Sequence, residues 1–224
     1  MLTEMARENK IVTQMGNQGA SNSGMTKVQE WFNDGKIGTV DEVFVWTNRP
    51  VWPQGIPVPK PTGSSSPDHL DWDLWLGTAP YIPYSDAYHP FNWRGWWAYG
   101  TGALGDMGCH IIDVPFKTLG LHYPTAVECS VGQVFINMWD PEYIPEGCPP
   151  SSSVTLDFSA TEKNNSPLKM RWLDGGLRPP HPDLIPANDS LGTPNSGNGV
   201  MMIGSKGIIL SLIHISEPTR HRYI

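Results

Sequence analysis

The order of hydrophobic patterns along the chain is the sequence feature that most restricts its fold. Apolar residues at helical spacing predict helices over residues 1–9, about 24–35, and 103–119. One β-rich run lies early, at residues 40–47, and the others come late; these lie at 125–138, 152–159, 167–173 and 200–203. Helices first and strands later predict an α/β (α+β) protein with an open, mostly antiparallel sheet backed by helices.

The first residues contain a helical pattern followed by a short apolar stretch at residues 11–15. A helix followed by a strand is the simplest interpretation of this segment. Ser21, Asn22 and Ser23 then offer side-chain oxygens that can cap a second helix, whose apolar side includes Met25 and Phe32. We expect that side to face the core.

Composition indicates a folded but loop-rich protein. Glycine and proline number 23 and 22 among 224 residues, yet ten tryptophans, seven tyrosines and six phenylalanines argue against disorder. Residues 50–68 form a proline-rich segment that we expect to be an extended surface loop. Residues 70–105 follow with an aromatic patch that either packs a long loop or lines a pocket; the first interpretation is favoured because large side chains usually serve burial. The patch comprises Trp72, Trp75, Trp93, Trp96 and Trp97.

Charge and cysteine content exclude several classes of partner. The chain has 15 basic and 22 acidic residues, which gives a net charge of −7, and it contains no basic tract. Nucleic acid is therefore not expected to bind. No apolar run approaches the roughly 20 residues that span a bilayer, so no membrane association is expected. The three cysteines lack metal-ligand spacing and cannot all pair, so neither a disulfide framework nor a metal site is predicted.

Residues 100–105 read G-x-G-x-x-G, the pattern of a dinucleotide-binding turn. That function needs a preceding hydrophobic strand and an acidic residue about 20 positions later. Here a tryptophan-rich loop precedes the pattern, and residues 118–127 contain no acidic residue. We therefore interpret it as a chance match.

The segment that follows carries the best candidates for chemistry. Asp106 and His110 are four residues apart and Asp113 is three further on, so a helix would place all three along one side. A carboxylate beside an imidazole can raise the pKa of the imidazole and orient it for proton transfer. The alternative is an ordinary pair on a helix surface.

Several local strings, in order, resemble the C-terminal domain of the Gfo/Idh/MocA oxidoreductases, the relatives of glucose-fructose oxidoreductase and inositol dehydrogenase. They are VTQMGNQG, EWFNDGKIGTVDEVFVWTNRPVWPQG, LDWDLWLG, YHPFNWRGWW, GTGALGDMGCHIID, RWLDGG and MIGSKG. The resemblance implies that residues 1–17 are the last helix and strand of a truncated Rossmann domain. Residues 18–209 would then be a truncated domain that carries the substrate pocket and supports oligomerisation.

The resemblance also implies roles for individual residues. Asp106 and His110 match the family's D-x-x-x-H pattern and are expected to be catalytic, His110 as proton acceptor and Asp106 as its partner. The family's third catalytic element, the lysine of an E-K-P segment, is absent from this chain. Further candidates are four substrate-binding residues and one cofactor-binding residue; these are Arg94, Tyr99, Trp93 and Asp113 for substrate, and Gln18 for cofactor.

The activity implied for the intact parent is hydride transfer between a sugar, inositol or related polyol and NAD or NADP. This fragment itself is expected to bind no cofactor and to be inactive. The intact parent is expected to form a homo-oligomer through the C-terminal sheet and to be cytoplasmic, or periplasmic if a leader preceded it. Two alternatives remain open: an NAD-dependent glycoside hydrolase of the same fold, and a non-catalytic binding or dimerisation module.

The last residues fit no continuation of the family's sheet. The string LSLIHISEPTR from residue 210 equals the translation of a common transposase sequencing adapter. We therefore expect residues 210–224 to be an artefact and the chain to be a fragment from bacterial, metagenomic reads. The alternative is a genuine β-strand, because residues 208–215 are apolar enough to form one.

Overall fold

The fold is taken from a computed structural model of the chain. The structure describes residues 1–14, 16–61, 63–183, 186–188, 191, 197–211 and 222–223. All structural statements below concern these residues.

The described residues contain five α-helices. They are α1 (Leu2–Glu8), α2 (Ser23–Asn33), α3 (Trp72–Leu76), α4 (Gly102–Ile111) and α5 (Asp113–Leu119), with short 3₁₀ turns at Gln18–Ser21 and Asn92–Gly95. Of these, α2, α4 and α5 contribute to the apolar cluster on one face of the sheet. The predicted cap of α2 is present, because Asn22 Oδ1 accepts the Gly24 N–H at 2.9 Å. Asp71 caps α3 in the same way through the N–H of Leu74.

The strands form one large mixed sheet and one hairpin. They are β1 (Val40–Trp46), β2 (Ala126–Val131), β3 (Val134–Asn137), β4 (Asp140–Glu142), β5 (Ser152–Phe158), β6 (Leu168–Leu173), β7 (Gly199–Gly204), β8 (Gly207–Ser211) and β9 (Arg222–Tyr223). The described strands of the large sheet run in the order β2-β5-β6-β1-β7-β8-β9, whereas β3 and β4 pair only with each other. Strands β1 and β6 are parallel and every other described pair is antiparallel, which confirms the predicted open, mostly antiparallel sheet.

Each face of the sheet carries an apolar cluster. The larger cluster lies under α2, α4 and α5 and includes Val43, Met170 and Trp172, with Phe32 of α2 packed onto them. The opposite face carries Phe44, Trp46, Leu173, Met201, Ile208 and Leu210. The alternation of side chains along a strand explains how β1 supplies both clusters, with Val43 on one face and Phe44 on the other.

The aromatic patch does pack the long loop. Trp72, Tyr88 and Trp96 are buried together in a third cluster, and Trp72 stacks on Trp75 with ring centroids 4.7 Å apart. Trp97 differs from them, because 53% of its surface is exposed.

Three predicted elements differ from the structure. The expected strand at residues 11–15 is wrong over residues 11–14, which have no regular secondary structure, because no neighbouring strand reaches them in the described chain. The expected single helix at 103–119 is two helices. Pro115 has no N–H to donate to the carbonyl of Ile111, and the helix breaks at Ile112.

The expected strand at 125–138 is also divided. The chain turns away from the sheet after Val131, where the Gly132 N–H bonds to the carbonyl of Ser151 at 2.9 Å. Residues beyond it form the separate β3–β4 hairpin. The other predicted strands are confirmed, with bounds within one residue of those expected.

The expected boundary between residues 209 and 210 falls inside β8. Leu210 pairs with Met201 and is 5% exposed, and Ser211 pairs with Val200. Most of the segment assigned to an adapter, residues 212–221 and 224, lies outside the described residues, so its origin stays a prediction.

Candidate functional site

Helix α4 begins at the end of the aromatic loop and carries the candidate residues. Glycines at its start allow close packing against that loop. A Cβ at Gly100 would lie 2.6 Å from Arg94 Cα, and one at Gly105 would overlap Thr101 Oγ1. Gly102 has a φ of +62° and faces Cys148. These close contacts give the glycines of the G-x-G-x-x-G pattern a packing role.

Asp106 is paired with Arg94. Arg94 Nε donates to Asp106 Oδ1 at 2.8 Å, and the two side chains are 24% and 26% exposed. Arg94 NH1 also donates to the carbonyl of Phe91 at 2.9 Å. Two hydrogen bonds on different sides of the guanidinium hold it in one orientation.

Aromatic rings surround the Arg94 guanidinium. Its Cζ lies 4.5 Å from the ring centre of Trp93, 4.6 Å from that of Phe91 and 5.7 Å from that of Trp52. A cation over an aromatic face gains electrostatic stabilisation, so these rings further restrict Arg94. Arg94, Trp93 and Asp106, which the sequence analysis singled out separately, are thus brought together.

His110 lies on the same side of α4 but in a different environment. It borders a small cavity of about 20 Å³ whose other walls include Gly19, Met25 and Val114. No hydrogen bond or ion pair joins Asp106 to His110 in the described structure. The carboxylate is held by Arg94 instead, and an orienting role of Asp106 toward His110 stays a prediction.

The remaining predicted residues are dispersed. Asp113 begins α5 and forms an ion pair with Lys117 at 3.1 Å. Tyr99 packs inside the aromatic cluster, 5.5 Å from the ring of Tyr88, and burial raises its pKa. Gln18 is exposed in the first 3₁₀ turn, whose neighbour Asn17 donates to the carbonyl of Cys109 at 2.7 Å.

A larger cavity next to α4 was not foreseen from the sequence. Its volume is about 540 Å³, and its walls come from the start of α4, from β2 and β5, and from the β3–β4 hairpin. Two cysteines, Cys129 and Cys148, line it, and burial raises the pKa of Cys148 to about 11. The three cysteines of the chain are all free.

Asp174 lies in the wall of this cavity and is 2% exposed. Its Oδ1 accepts the N–H of Ser152 at 2.6 Å, and its Oδ2 accepts the Ser152 hydroxyl at 2.6 Å and the indole N–H of Trp172 at 2.7 Å. Burial raises the pKa of Asp174, and these hydrogen bonds partly oppose that shift. The only sequence signal for this network was the string RWLDGG, whose strand-then-turn pattern does not reveal the distant Ser152.

The described residues contain neither a metal-binding cluster nor a membrane-spanning helix. No group of three or more His, Cys, Asp or Glu side chains is arranged to hold a metal ion there. No described helix has the length and apolar character needed to cross a membrane.

Comparison with known families finds a match. Residues 44–133 match the model of the oxidoreductase family, C-terminal alpha/beta domain, of the Gfo/Idh/MocA proteins. This part of the chain is therefore similar to the C-terminal domain of the Gfo/Idh/MocA oxidoreductases, the family that its motifs resemble. The family uses NAD(P). No curated protein sequence matches the chain.

Two of the matching solved structures have the same fold at low sequence identity, and a third bears on coverage alone. A protein named as an NADPH-dependent oxidoreductase from Desulfitobacterium hafniense DCB-2 is 15% identical with a TM-score of 0.51; the match covers 94% of this chain and 43% of that one. An oxidoreductase from Thermotoga maritima is 13% identical with a TM-score of 0.50, covering 93% and 45%. Gal80p from Saccharomyces cerevisiae is 12% identical with a TM-score of 0.49, covering 99% and 49%. The chain thus spans less than half the length of these structures.

Proposed function

We propose that this chain is the substrate-binding part of an NAD(P)-dependent oxidoreductase that acts on a CH–OH group of a sugar, inositol or related polyol. The observation that carries the proposal is the side of α4 that presents Asp106 and His110, with Asp106 held by the caged Arg94. A charged and partly exposed Asp–Arg pair offers both acceptors and donors to vicinal hydroxyl groups. His110 forms no ion pair with the described residues. It is the candidate acceptor for the hydroxyl proton.

The G-x-G-x-x-G pattern does not have the preceding strand of a dinucleotide site, because a 3₁₀ turn at Asn92–Gly95 comes before it. Its glycines pack closely against Arg94, Thr101 and Cys148. The cofactor would have to be held by another part of the intact parent. What this domain contributes is binding and orientation of the polyol and acceptance of its proton.

The test uses the complete protein that contains this domain. If His110 accepts the hydroxyl proton, His110→Ala or His110→Asn should lower kcat by about 10² to 10⁴, the usual range for a general base. The affinity for the dinucleotide should hardly change. Asp106→Asn should give a smaller loss that appears partly in KM, because this carboxylate acts through Arg94 and substrate contact. Normal turnover in His110→Ala together with a lower melting temperature would assign His110 a structural role only.

We also propose that the intact protein forms a homo-oligomer through this sheet. The support is β2, the outermost described strand on its side, all six residues of which are exposed. Val127 and Val131 are 58% and 52% exposed there. An uncovered apolar edge strand tends to pair with another chain. Light scattering of the complete protein should therefore give a multiple of the monomer mass, and Val127→Lys should reduce it.

A further inference from the structure

The 540 Å³ cavity adjoins the Asp106–Arg94 pair through a short series of contacts. Asp106 is bonded to Arg94, and the Arg94 guanidinium lies over the ring of Trp52. The indole N–H of Trp52 donates to Gln54 Oε1 at 2.9 Å. Gln54 lines the cavity, as does Gly105, the residue before Asp106. The cavity wall and the Asp106–Arg94 pair are thus connected by residues in direct contact.

The inner surface of the cavity is mainly apolar. Leu104, Val131, Val134, Ile144 and Val154 contribute aliphatic surface. A volume of 540 Å³ lies within the roughly 300–1,000 Å³ of ordinary small-molecule sites.

Two polar side chains in the cavity wall, Gln54 and Asp174, already have partners within the protein. The Gln54 amide donates to the carbonyl of Pro149 at 2.6 Å, while its oxygen accepts from Trp52. Both carboxylate oxygens of Asp174 accept hydrogen bonds from Ser152 or Trp172. At these two side chains the wall therefore offers few free hydrogen-bonding groups to a polar occupant.

Two exposed aromatic residues also line the cavity. Trp97 is 53% exposed and Tyr143 is 83% exposed. Such rings can stack on a flat apolar group or on the C–H face of a sugar ring. The cavity therefore combines an apolar interior with accessible aromatic surface, beside a polar Asp–Arg pair.

We propose that this cavity binds the apolar aglycone of a glycoside, an aryl or alkyl group attached to the sugar, while the sugar lies toward Arg94 and Asp106. The placement of the sugar near Arg94 and Asp106 rests on the proposed function. The placement of the aglycone rests on the cavity itself. The substrate class is then a glycoconjugate rather than a free polyol. Such a substrate also fits the alternative in which the parent enzyme cleaves glycosides.

Binding to the 224-residue chain tests the proposal without any redox reaction. The probes are phenyl β-D-glucoside, phenyl β-D-galactoside and phenyl α-D-mannoside, each compared by calorimetry with its free sugar and with phenol. At least one phenyl glycoside should bind about tenfold more tightly than both of its halves, a difference of about 1.4 kcal/mol. If none of the three binds more tightly than its free sugar, the proposal is wrong.

Strand β2 supplies a matched pair of variants. Val131 lines the cavity and Val127 does not, although both are exposed valines on the same side of the same strand. Val131→Glu should weaken binding of the phenyl glycoside at least about tenfold, because it brings a charge to an apolar wall. Val127→Glu should leave that affinity unchanged when the monomeric fractions of both variants are compared. Equal effects of the two substitutions would overturn the assignment of the cavity.

The outcome is separable from the proposed oxidoreductase activity. If the complete protein oxidises a free polyol while its isolated domain shows no preference for phenyl glycosides, the aglycone inference fails and the oxidoreductase proposal stands. If phenyl glycosides bind as expected but the complete protein transfers no hydride, the cavity assignment stands and the oxidoreductase proposal fails.

Discussion

Replacing Asp174 with alanine should remove a large part of the stability of this domain. The carboxylate accepts the N–H and hydroxyl of Ser152 and the indole N–H of Trp172, at 2.6, 2.6 and 2.7 Å. Alanine would leave the two N–H groups buried without an acceptor, at about 1–3 kcal/mol each, whereas the hydroxyl can rotate. Removal of a buried charge offsets part of this loss. We therefore expect the free energy of unfolding to fall by about 2–4 kcal/mol.

Urea unfolding, followed by tryptophan fluorescence and by circular dichroism, measures this change. Asp174→Asn is the matched control, because its carbonyl can still accept the Ser152 N–H while its amide group cannot accept from Trp172. It should lose about 1–2 kcal/mol. A loss below about 1 kcal/mol for Asp174→Ala would refute the reasoning, because it would mean that water reaches these donors.

The wild type and Asp174→Asn also allow a test of how the free energy of unfolding changes with pH. Burial raises the pKa of Asp174 in the folded state above its ordinary value. At a pH between the ordinary pKa of aspartate and the raised pKa of Asp174, the folded state binds more protons than the unfolded state. The contribution of Asp174 to the free energy of unfolding therefore falls as the pH rises from about 3.9 through the raised pKa. The stability advantage of the wild type over Asp174→Asn should therefore shrink across that window. An advantage that grows with pH there would contradict the assigned direction.

Three further predictions concern the glycine motif and the end of the chain. Gly102→Ala should destabilise the domain by about 1–3 kcal/mol in a urea titration, because its φ of +62° and the nearby Cys148 both oppose a Cβ; an unchanged midpoint would refute this. Titration of NADH into the chain should show no saturable micromolar binding by fluorescence, because residues 100–105 lack the preceding strand of a dinucleotide-binding turn; such binding would refute this. Deletion of residues 212–224 removes the two-residue strand β9 beside β8 and should change the melting temperature little by calorimetry. Ile209→Ala, in buried β8, should cost about 2–5 kcal/mol; a loss of similar size on deletion would make the tail a native element.

Much of the architecture could be predicted because it depends on local patterns. The helical spacing around Met25 and Phe32, with the cap at Asn22, places α2 correctly. Alternating or continuous apolar runs give β5, β6 and β7 nearly their observed bounds. These features rest on interactions between residues close in the chain, so a short window contains the information.

The errors arose where a local pattern depended on a neighbour. Residues 11–14 have the composition of a strand, but a strand forms only beside a partner. The single long helix failed for a local reason that was overlooked, the missing N–H of Pro115.

The sequence by itself determined the fold class, the resemblance to the Gfo/Idh/MocA oxidoreductases and the candidate positions Asp106, His110 and Arg94, because their motifs lie within short segments. Only the tertiary structure decided how those side chains are used. It pairs Asp106 with Arg94 from a separate loop, 12 residues away. It also forms the cavity from segments far apart in the chain: Gln54 meets Pro149 across 95 residues, and Ser152 meets Asp174 across 22. Such contacts are set by how the elements pack, and no local spacing of residues encodes them.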